Sequence, residues 1–281
     1  MKLNRMILVA ALGFLSTAAY AQTGKASGTP FGSGQDSIRC RQSISLFTSL
    51  GKTGNYQDAF EHWKKAYDEC PASSKNIYII GVKILQWKLG QAKDPAAKKK
   101  ALADLLKLYD DRATYFGDDA KMGADKIMLG KTKEYLVAVG NDADYAQVYA
   151  WLKPVVARYK EQTAPEALYY FAFSSRAVAM RDTTKVESYI NDYLEAAGYA
   201  DAALEAVAND AEARKQIETF KNPMDAEFAQ SGLAGCEMLN RVYTVDKIEA
   251  HKTDKAFLQN VLALFQRAGC DGNASVRAGR Y

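Results

Sequence analysis

Residues 54–71 read GNYQDAFEHWKKAYDECP, and the spacing of six residues in this stretch indicates how the chain folds. The six residues are small, aromatic or helix-breaking: Gly54, Tyr56, Ala59, Trp63, Ala66 and Pro71. The glycine permits a tight turn and the proline stops a helix. The two alanines and the tryptophan between them follow one helical face, and an alanine lets a neighbouring helix approach closely. The stretch predicts the second helix of an antiparallel helical hairpin.

The rest of the chain from Ser37 onward repeats helical periodicity, with short breaks of Gly, Pro, Asn and Asp. No alternating strand pattern is visible, so the sequence predicts an all-α protein. Asp94-Pro95 is typical of an N-cap followed by the first helical residue. The predicted helices cover 38–52, 56–69, 74–89, 95–115, 119–138, 143–161, 166–180, 184–196, 201–220, 225–249, with Gly235 as a candidate break, and 254–268.

The opening stretch resembles the tetratricopeptide repeat, a helix-turn-helix unit of about 34 residues whose second half carries this set of residues. The first half is degenerate, since Ser43 and Phe47 stand where the family prefers Trp and Gly. If the register continues past Pro71, Gly81 takes a signature position of the next repeat. The clear resemblance covers about a quarter of the chain. It implies an α-solenoid of about five or six hairpins over residues 37–270.

A narrower resemblance rests on the positions of the cysteines and their neighbours. Cys40, the run CPASSKNIYIIG at 70–81, GCEML at 235–239 and AGC at 268–270 are similar to a group of exported tetratricopeptide-like proteins of Bacteroidota. This resemblance implies export and a helical architecture, and it implies no biochemical activity.

The ends of the chain predict export. Lys2 and Arg5 precede a short apolar run, and Ala19-Tyr20-Ala21 is a cleavage pattern, so residues 1–21 are interpreted as a signal peptide. Residues 22–36 form a Gly- and Ser-rich leader, and residues 271–281 form a C-terminal tail. No segment is apolar over the roughly 20 residues that a membrane span requires. The mature protein is therefore expected in the periplasm or outside the cell.

The charge of the chain argues against nucleic acid as a partner. The formal net charge is +4, of which Lys2 and Arg5 contribute two. The mature chain is close to neutral, whereas nucleic-acid-binding proteins usually carry clustered basic residues.

Four cysteines in an exported chain predict disulfides. In the hairpin arrangement Cys40 and Cys70 lie at the same end of the first hairpin, and Cys236 and Cys270 repeat this arrangement at the last one. We therefore expect Cys40–Cys70 and Cys236–Cys270. A zinc site is disfavoured because the cysteines lack the usual C-x-x-C spacing and His62 and His251 are far apart in the sequence.

The short motifs that suggest a nucleotide or calcium site fail on spacing. The triplets at 51–53 and 130–132 both read Gly-Lys-Thr, but a phosphate-binding loop needs a glycine five positions earlier, where this chain has Leu46 and Asp125. The run from Asn141 to Asp144 lacks the later glycine and glutamate of a calcium loop, so helix capping explains it better. No cofactor is predicted.

A binding groove is the remaining hypothesis for function. Solenoids commonly bind peptides along the first helices of their hairpins, and tyrosines suit recognition surfaces. The tyrosines on predicted first helices are Tyr78, Tyr135, Tyr169 and Tyr170. The alternative is that these rings fill the core between helices.

The sequence thus predicts a non-enzymatic interaction or scaffold protein that binds a peptide or partner protein of the cell envelope. Two alternatives remain open. A small-molecule or glycan-binding protein would have an enclosed aromatic pocket. An unrecognised hydrolase would have paired buried carboxylates beside a cleft.

Overall fold

The computed structural model of the chain describes residues 30–233 and 235–270, and every regular element in these ranges is helical. The chain divides into two compact units, Met1–Trp87 and Lys88–Tyr281. None of the helices in the described ranges is long and apolar enough to span a membrane. The α-helices are α1 (Gly34–Lys52), α2 (Tyr56–Glu69), α3 (Asn76–Gln91), α4 (Pro95–Phe116), α5 (Ala124–Val139), α6 (Tyr145–Tyr159), α7 (Pro165–Arg181), α8 (Val186–Ala206), α9 (Ala211–Gln230), α10 (Cys236–Val242), α11 (Val245–Ala250) and α12 (Lys255–Arg267).

The first unit begins with the hairpin of α1 and α2. Gly54 makes the turn with φ of +79°, a conformation that glycine adopts without steric cost. The side chain of Asn55 then accepts a hydrogen bond from the backbone N–H of Asp58 and caps α2. The predicted turn and the start of α2 at Tyr56 are both confirmed.

The signature residues of α2 lie in the core of the first unit. Ala59 and Ala66 are fully buried, and Trp63 is 2% exposed. The Trp63 indole N–H donates to the backbone carbonyl of Ile77 at 2.7 Å, which ties α2 to α3. Gly51 permits a close approach of α1 to α3, because a Cβ atom there would lie 2.3 Å from Cγ2 of Ile80. The first Gly-Lys-Thr triplet lies at the end of α1, which ends at Lys52.

Both predicted disulfides form. Cys40 is bonded to Cys70 across the first hairpin, and Cys236 is bonded to Cys270 in the second unit. The loops they close span 30 and 34 residues in sequence. In the chain-entropy account each bond stabilises the fold by about 3–4 kcal/mol. The second bond joins the start of α10 to the residues after α12, so it encloses three short helices rather than the expected helix pair.

In the second unit each helix from α4 to α9 packs on the next along the chain. In addition, α5 packs on α7 and α7 packs on α9. Helices two apart in the chain, α5 with α7 and α7 with α9, are therefore neighbours, as an array of hairpins requires. The solenoid arrangement remains a prediction. The cap at Asp94 is confirmed by its hydrogen bond from the N–H of Ala97. The second Gly-Lys-Thr triplet lies within α5, and Asp144 caps α6, both as predicted.

Several of the predicted helix boundaries between residues 184 and 249 are wrong. The chain was expected to break between 196 and 201, yet α8 runs without interruption from Val186 to Ala206. The break falls instead at Asn209-Asp210, where Asp210 accepts from the N–H of Ala213 and starts α9. Helix α9 passes through Pro223, and the segment 225–249 is divided between α9, α10 and α11. The candidate break at Gly235 is found, since Gly235 is the N-cap of α10.

Candidate functional site

The four tyrosines predicted to line a groove do not form one surface. Tyr78 is fully buried in the first unit and Tyr135 is 7% exposed in the second, so these two rings belong to the core. The Tyr135 hydroxyl accepts a hydrogen bond from the backbone N–H of Asp144. Tyr169 and Tyr170 are half-buried and adjacent, and the Tyr169 hydroxyl donates to Glu227. The alternative of core packing is correct for Tyr78 and Tyr135.

The structure places an open, mostly apolar groove elsewhere in the second unit. Its volume is about 750 Å³. Its walls come from the start of α5, the end of α8, the first half of α9 and the segment 161–166, which leads into α7. The apolar side chains of the walls include Leu129, Pro165, Val207, Ala213, Ile217 and Phe220.

The turn between α8 and α9 builds one wall of this groove. The two helices are antiparallel, since the Arg214 guanidinium donates to the carbonyl of Leu204 and the Lys221 ammonium lies 3.2 Å from the carboxylate of Asp201. Lys221 also pairs with Asp225 on its own helix. These bonds fix the first half of α9 beside the last turns of α8.

A buried carboxylate next to the groove holds the segment that carries the lining residue Ala164. Asp125, at the start of α5, is 2% exposed and accepts a hydrogen bond from the backbone N–H of Ala164 at 3.0 Å. This bond anchors the start of α7 to the start of α5. Thr163, which also lines the groove, is buried, and its hydroxyl has no hydrogen-bond partner among the described residues.

Helix α7 contacts the second half of α9 in the core of the unit. Tyr169 and Arg176 of α7 both reach Glu227, with a hydrogen bond of 2.8 Å and an ion pair of 3.6 Å. On the α8 side, the ring of Tyr193 stacks on Phe228 with centroids 3.7 Å apart. The first half of α9, in contrast, presents Ile217 and Phe220 to the groove.

The charged side chains of the groove differ in how they are satisfied. The Glu166 carboxylate pairs with the ammonium group of Lys133 at 2.8 Å. Lys126 donates to the backbone carbonyl of Lys121. Glu161 is exposed on the wall and has no ion-pair partner among the described residues.

A smaller cavity of about 510 Å³, lined mostly by residues with polar or charged groups, shares Lys126 and Gln162 with the groove. Its polar groups are largely engaged within the fold. Arg158 pairs with Asp118 at 2.6 Å, and the Tyr159 hydroxyl donates to the carbonyl of Gly117 while it accepts from the N–H of Ala124. These bonds therefore hold the end of α4, the start of α5 and the end of α6 together.

One buried polar cluster combines a carboxylate, a hydroxyl and an ammonium group, as catalytic sites do. Asp192 of α8 is 5% exposed, accepts from the Ser175 hydroxyl at 2.6 Å and lies 3.9 Å from the Lys153 ammonium. Burial raises the pKa of Asp192 above its ordinary value, and burial also raises the pKa of Tyr149, which accepts from Lys153.

A tyrosine that acts as a base needs a lowered pKa, which is the opposite direction. Neither cavity described above includes these residues in its lining. The cluster instead links α6, α7 and α8. Within the described ranges, no group of three or more His, Cys, Asp or Glu side chains is placed to hold a metal ion.

The residues of the groove were missed by the sequence analysis because the boundary between α8 and α9 was misplaced. If the sequence had been divided into a helix that ends near Ala206 and a helix that begins at Ala211, Val207 and Ile217 would have been expected to meet across a turn. The Asn209-Asp210 pair, typical of a helix start, was the available signal.

Comparison of the chain with protein-family models, with curated proteins and with solved structures found no match.

Proposed function

We propose that this protein is an exported, non-enzymatic scaffold of the cell envelope that binds an apolar segment of a partner protein in the groove between α5, α7, α8 and α9. The single observation that carries the proposal is the mostly apolar groove of about 750 Å³ that opens to solvent. Apolar surface in contact with water is unfavourable, and covering it supplies binding free energy.

Two further observations support this proposal. The disulfides Cys40–Cys70 and Cys236–Cys270 fit a compartment that permits oxidation, as export into the envelope would provide. The packing of α5 on α7 and of α7 on α9 fits a tetratricopeptide-like array, whose usual ligands are peptides and helices of other proteins. The signal peptide proposed for residues 1–21 lies outside the described residues.

A small apolar molecule is the second candidate ligand, because the groove volume falls within the usual range for small-molecule sites. The groove is open, however, and Phe220 is the aromatic ring among its lining residues. A glycan site with stacked aromatic rings is therefore less favoured.

The proposal is tested by filling the groove with a larger side chain. Ala206 is exposed and lines the groove, so Ala206→Trp should block it without disturbing the core. Ala202 is exposed on the same helix outside the lining, and Ala202→Trp is the matched control. The tagged chain and both variants are cross-linked in cells at native expression, and the captured proteins are identified by mass spectrometry.

We expect one envelope protein to be captured by the unmodified chain and by Ala202→Trp, and to be lost with Ala206→Trp. Equal capture by all three chains would contradict the assignment to this groove. Recovery of the protein alone would favour the small-molecule alternative, which native mass spectrometry would then detect.

A further inference from the structure

The tip of the α8–α9 hairpin, residues 201–216, is packed less tightly than the base of the same hairpin. None of the residues 201–216 is buried, whereas α8 buries eight residues between Val186 and Ala200. On α9 the first buried residue is Ile217, which lines the groove. Segments with few buried side chains open at a lower free-energy cost than the core does, so the tip is the part of the hairpin that can move most easily.

The two halves of the tip are bonded to each other. The Arg214 guanidinium donates to the carbonyl of Leu204, and Asp210 caps α9 within the turn. In the part of the chain that the structure describes, no hydrogen bond or ion pair joins a side chain of 202–216 to a residue outside the hairpin. The tip is therefore built to move as one piece.

Each helix of the hairpin contains one residue that weakens it. Gly198 lies within α8, and Pro223 lies within α9. Glycine is less favourable in a helix than alanine, and proline lacks the N–H that would bond to the carbonyl of Thr219. Packing does not require either residue, because a Cβ atom at Gly198 would meet nothing within 4 Å and Pro223 is exposed.

These two residues lie at the same level of the hairpin. On the tip side of them, the Lys221 ammonium pairs with Asp201 at 3.2 Å. On the base side, the Tyr193 hydroxyl donates to Asp225 at 2.8 Å. The glycine and the proline thus face each other across the hairpin, between a packed base and an exposed tip. Sharp bends in helices occur at such residues.

The tip supplies one wall of the groove. Its lining residues are Ala203, Ala206, Val207, Ala213 and Gln216. The start of α9 at Ala211 lies about 18 Å from Pro223, at about 1.5 Å per residue. A rotation of about 20° at the proline would therefore move that end by about 6 Å, which is enough to widen or narrow the groove.

We propose that the tip is a hinged clamp that turns about Gly198 and Pro223 and closes the groove over a bound apolar segment. This inference rests on the function proposed above and specifies how the site admits and holds its ligand. The open position gives access to the apolar wall, and the closed position removes apolar surface from water.

Distances between nitroxide labels, measured by double electron–electron resonance, test the hinge. The labels are attached to cysteines that replace exposed alanines in the mature chain, residues 22–281, with the native disulfides kept oxidised. Ala120, before α5, is the common anchor. The second label is at Ala211 in the tip or at Ala226 in the base, which lie on either side of Pro223 on α9.

The hinge is stiffened by the double substitution Gly198→Ala/Pro223→Ala. Its matched control is Gly90→Ala/Pro154→Ala, which changes an exposed helical glycine and an exposed helical proline in α3 and α6. A Cβ atom at the control glycine also meets nothing within 4 Å. The fold of each variant is checked by circular dichroism.

We expect the 120–211 distance distribution to be about twofold broader than the 120–226 distribution in the otherwise unmodified chain, because the tip label moves about the hinge. The hinge variant should narrow the 120–211 distribution toward the width seen for 120–226. The control variant should leave both distributions as they are.

The coupling between tip and groove is tested without a ligand. Ala206→Trp places an indole ring in the groove and should keep the tip from closing, so the mean 120–211 distance should lengthen by several ångströms. Ala202→Trp, outside the lining, should not change it.

The possible failures are distinguishable. Equally narrow distributions for both label pairs, or a breadth that the hinge variant does not reduce, would overturn the hinge. A mean distance that ignores Ala206→Trp would overturn its coupling to the groove. These measurements contain no partner protein, so a tip that moves as expected while no partner is captured in cells would contradict the proposed function and not the hinge.

Discussion

The two compact units of the chain bury different kinds of side chain. In the first unit, Ser43 is the buried polar residue among those described, and the hairpin is held by apolar packing and the Cys40–Cys70 bond. The second unit buries charged side chains, among them Arg112, Asp125, Lys131 and Asp192. Polar bonds between helices fix its geometry because each buried charge must meet a particular partner.

This difference bears on the proposed binding groove. The groove lies in the second unit, and the Asp125 bond holds its lining residue Ala164 at the start of α7. A buried polar bond of this kind specifies one arrangement of the helix ends around an apolar opening, whereas apolar packing alone tolerates several. The first unit has the stronger repeat signature, and its signature residues are used for packing.

The largest expected effect concerns the apolar core of the first unit. Replacing Trp63 by Ala removes a buried indole that stacks on Tyr67 and donates to Ile77. The free energy of unfolding should fall by about 3–5 kcal/mol. Urea unfolding followed by far-UV circular dichroism measures this loss.

Trp63→Phe is the control for the same position, since it keeps an aromatic ring and removes the N–H donor. Its cost should be clearly smaller than that of Trp63→Ala. If the two variants lost equal stability, the hydrogen bond rather than the packing would dominate, and the contrast between the units would break down.

An intermediate effect is expected at an ion pair of the second unit in which only the lysine is buried. Lys131 is almost fully buried, pairs with Asp110 at 2.6 Å and lies over the ring of Trp151. Asp110→Ala leaves the ammonium group buried without this carboxylate. Because Asp110 is itself half exposed, so that water screens the pair, we expect a loss of about 1–3 kcal/mol in urea unfolding.

The double variant Asp110→Ala/Lys131→Met sharpens this test. Methionine fills similar space without a charge, so the double variant should recover most of the stability that Asp110→Ala loses. If it were no more stable than the single variant, the second unit would depend on the shape of Lys131 rather than on its charge.

The smallest expected effect concerns pH and Asp192. Burial raises the pKa of this carboxyl, so the folded protein binds the proton more strongly than the unfolded chain does. The resulting stabilisation is complete below the ordinary carboxyl pKa and is lost as pH rises through the raised value.

As pH falls from neutral toward the ordinary carboxyl pKa, the unmodified chain should therefore gain stability relative to Asp192→Asn. Urea unfolding of both proteins at several pH values provides the measurement, and Asp182→Asn is a comparison because the pKa of exposed Asp182 is lowered by its bonds to Thr184. A stability difference that does not change with pH, or that changes in the opposite direction, would contradict the burial of an ionised carboxylate here.

The comparison of units also explains which features could be predicted from the sequence. Apolar spacing identified the hairpin around Trp63 and Ala66, and the hairpin geometry then paired Cys40 with Cys70. These features follow from the spacing of apolar residues along a helix and from the antiparallel direction of the two helices of a hairpin. Both can be inferred from a single sequence.

The groove could not be predicted in the same way. Gly198 stays within α8 although glycine commonly interrupts helices, and Asp210 rather than a glycine marks the next start. The buried positions of Tyr78 and Tyr135 are likewise set by tertiary packing, because a tyrosine on an amphipathic helix suits either a surface or a core.

The most direct test of the binding groove is photo-cross-linking from two adjacent positions. Gln216 lines the groove, whereas its neighbour Lys215 is exposed outside the lining. A photoreactive amino acid is placed at one position or the other in the full-length chain in cells, and cross-linked products are compared after irradiation. The account predicts that one partner protein cross-links from position 216 and much less from position 215. Equal products from both positions, or a partner captured from position 215 alone, would contradict it.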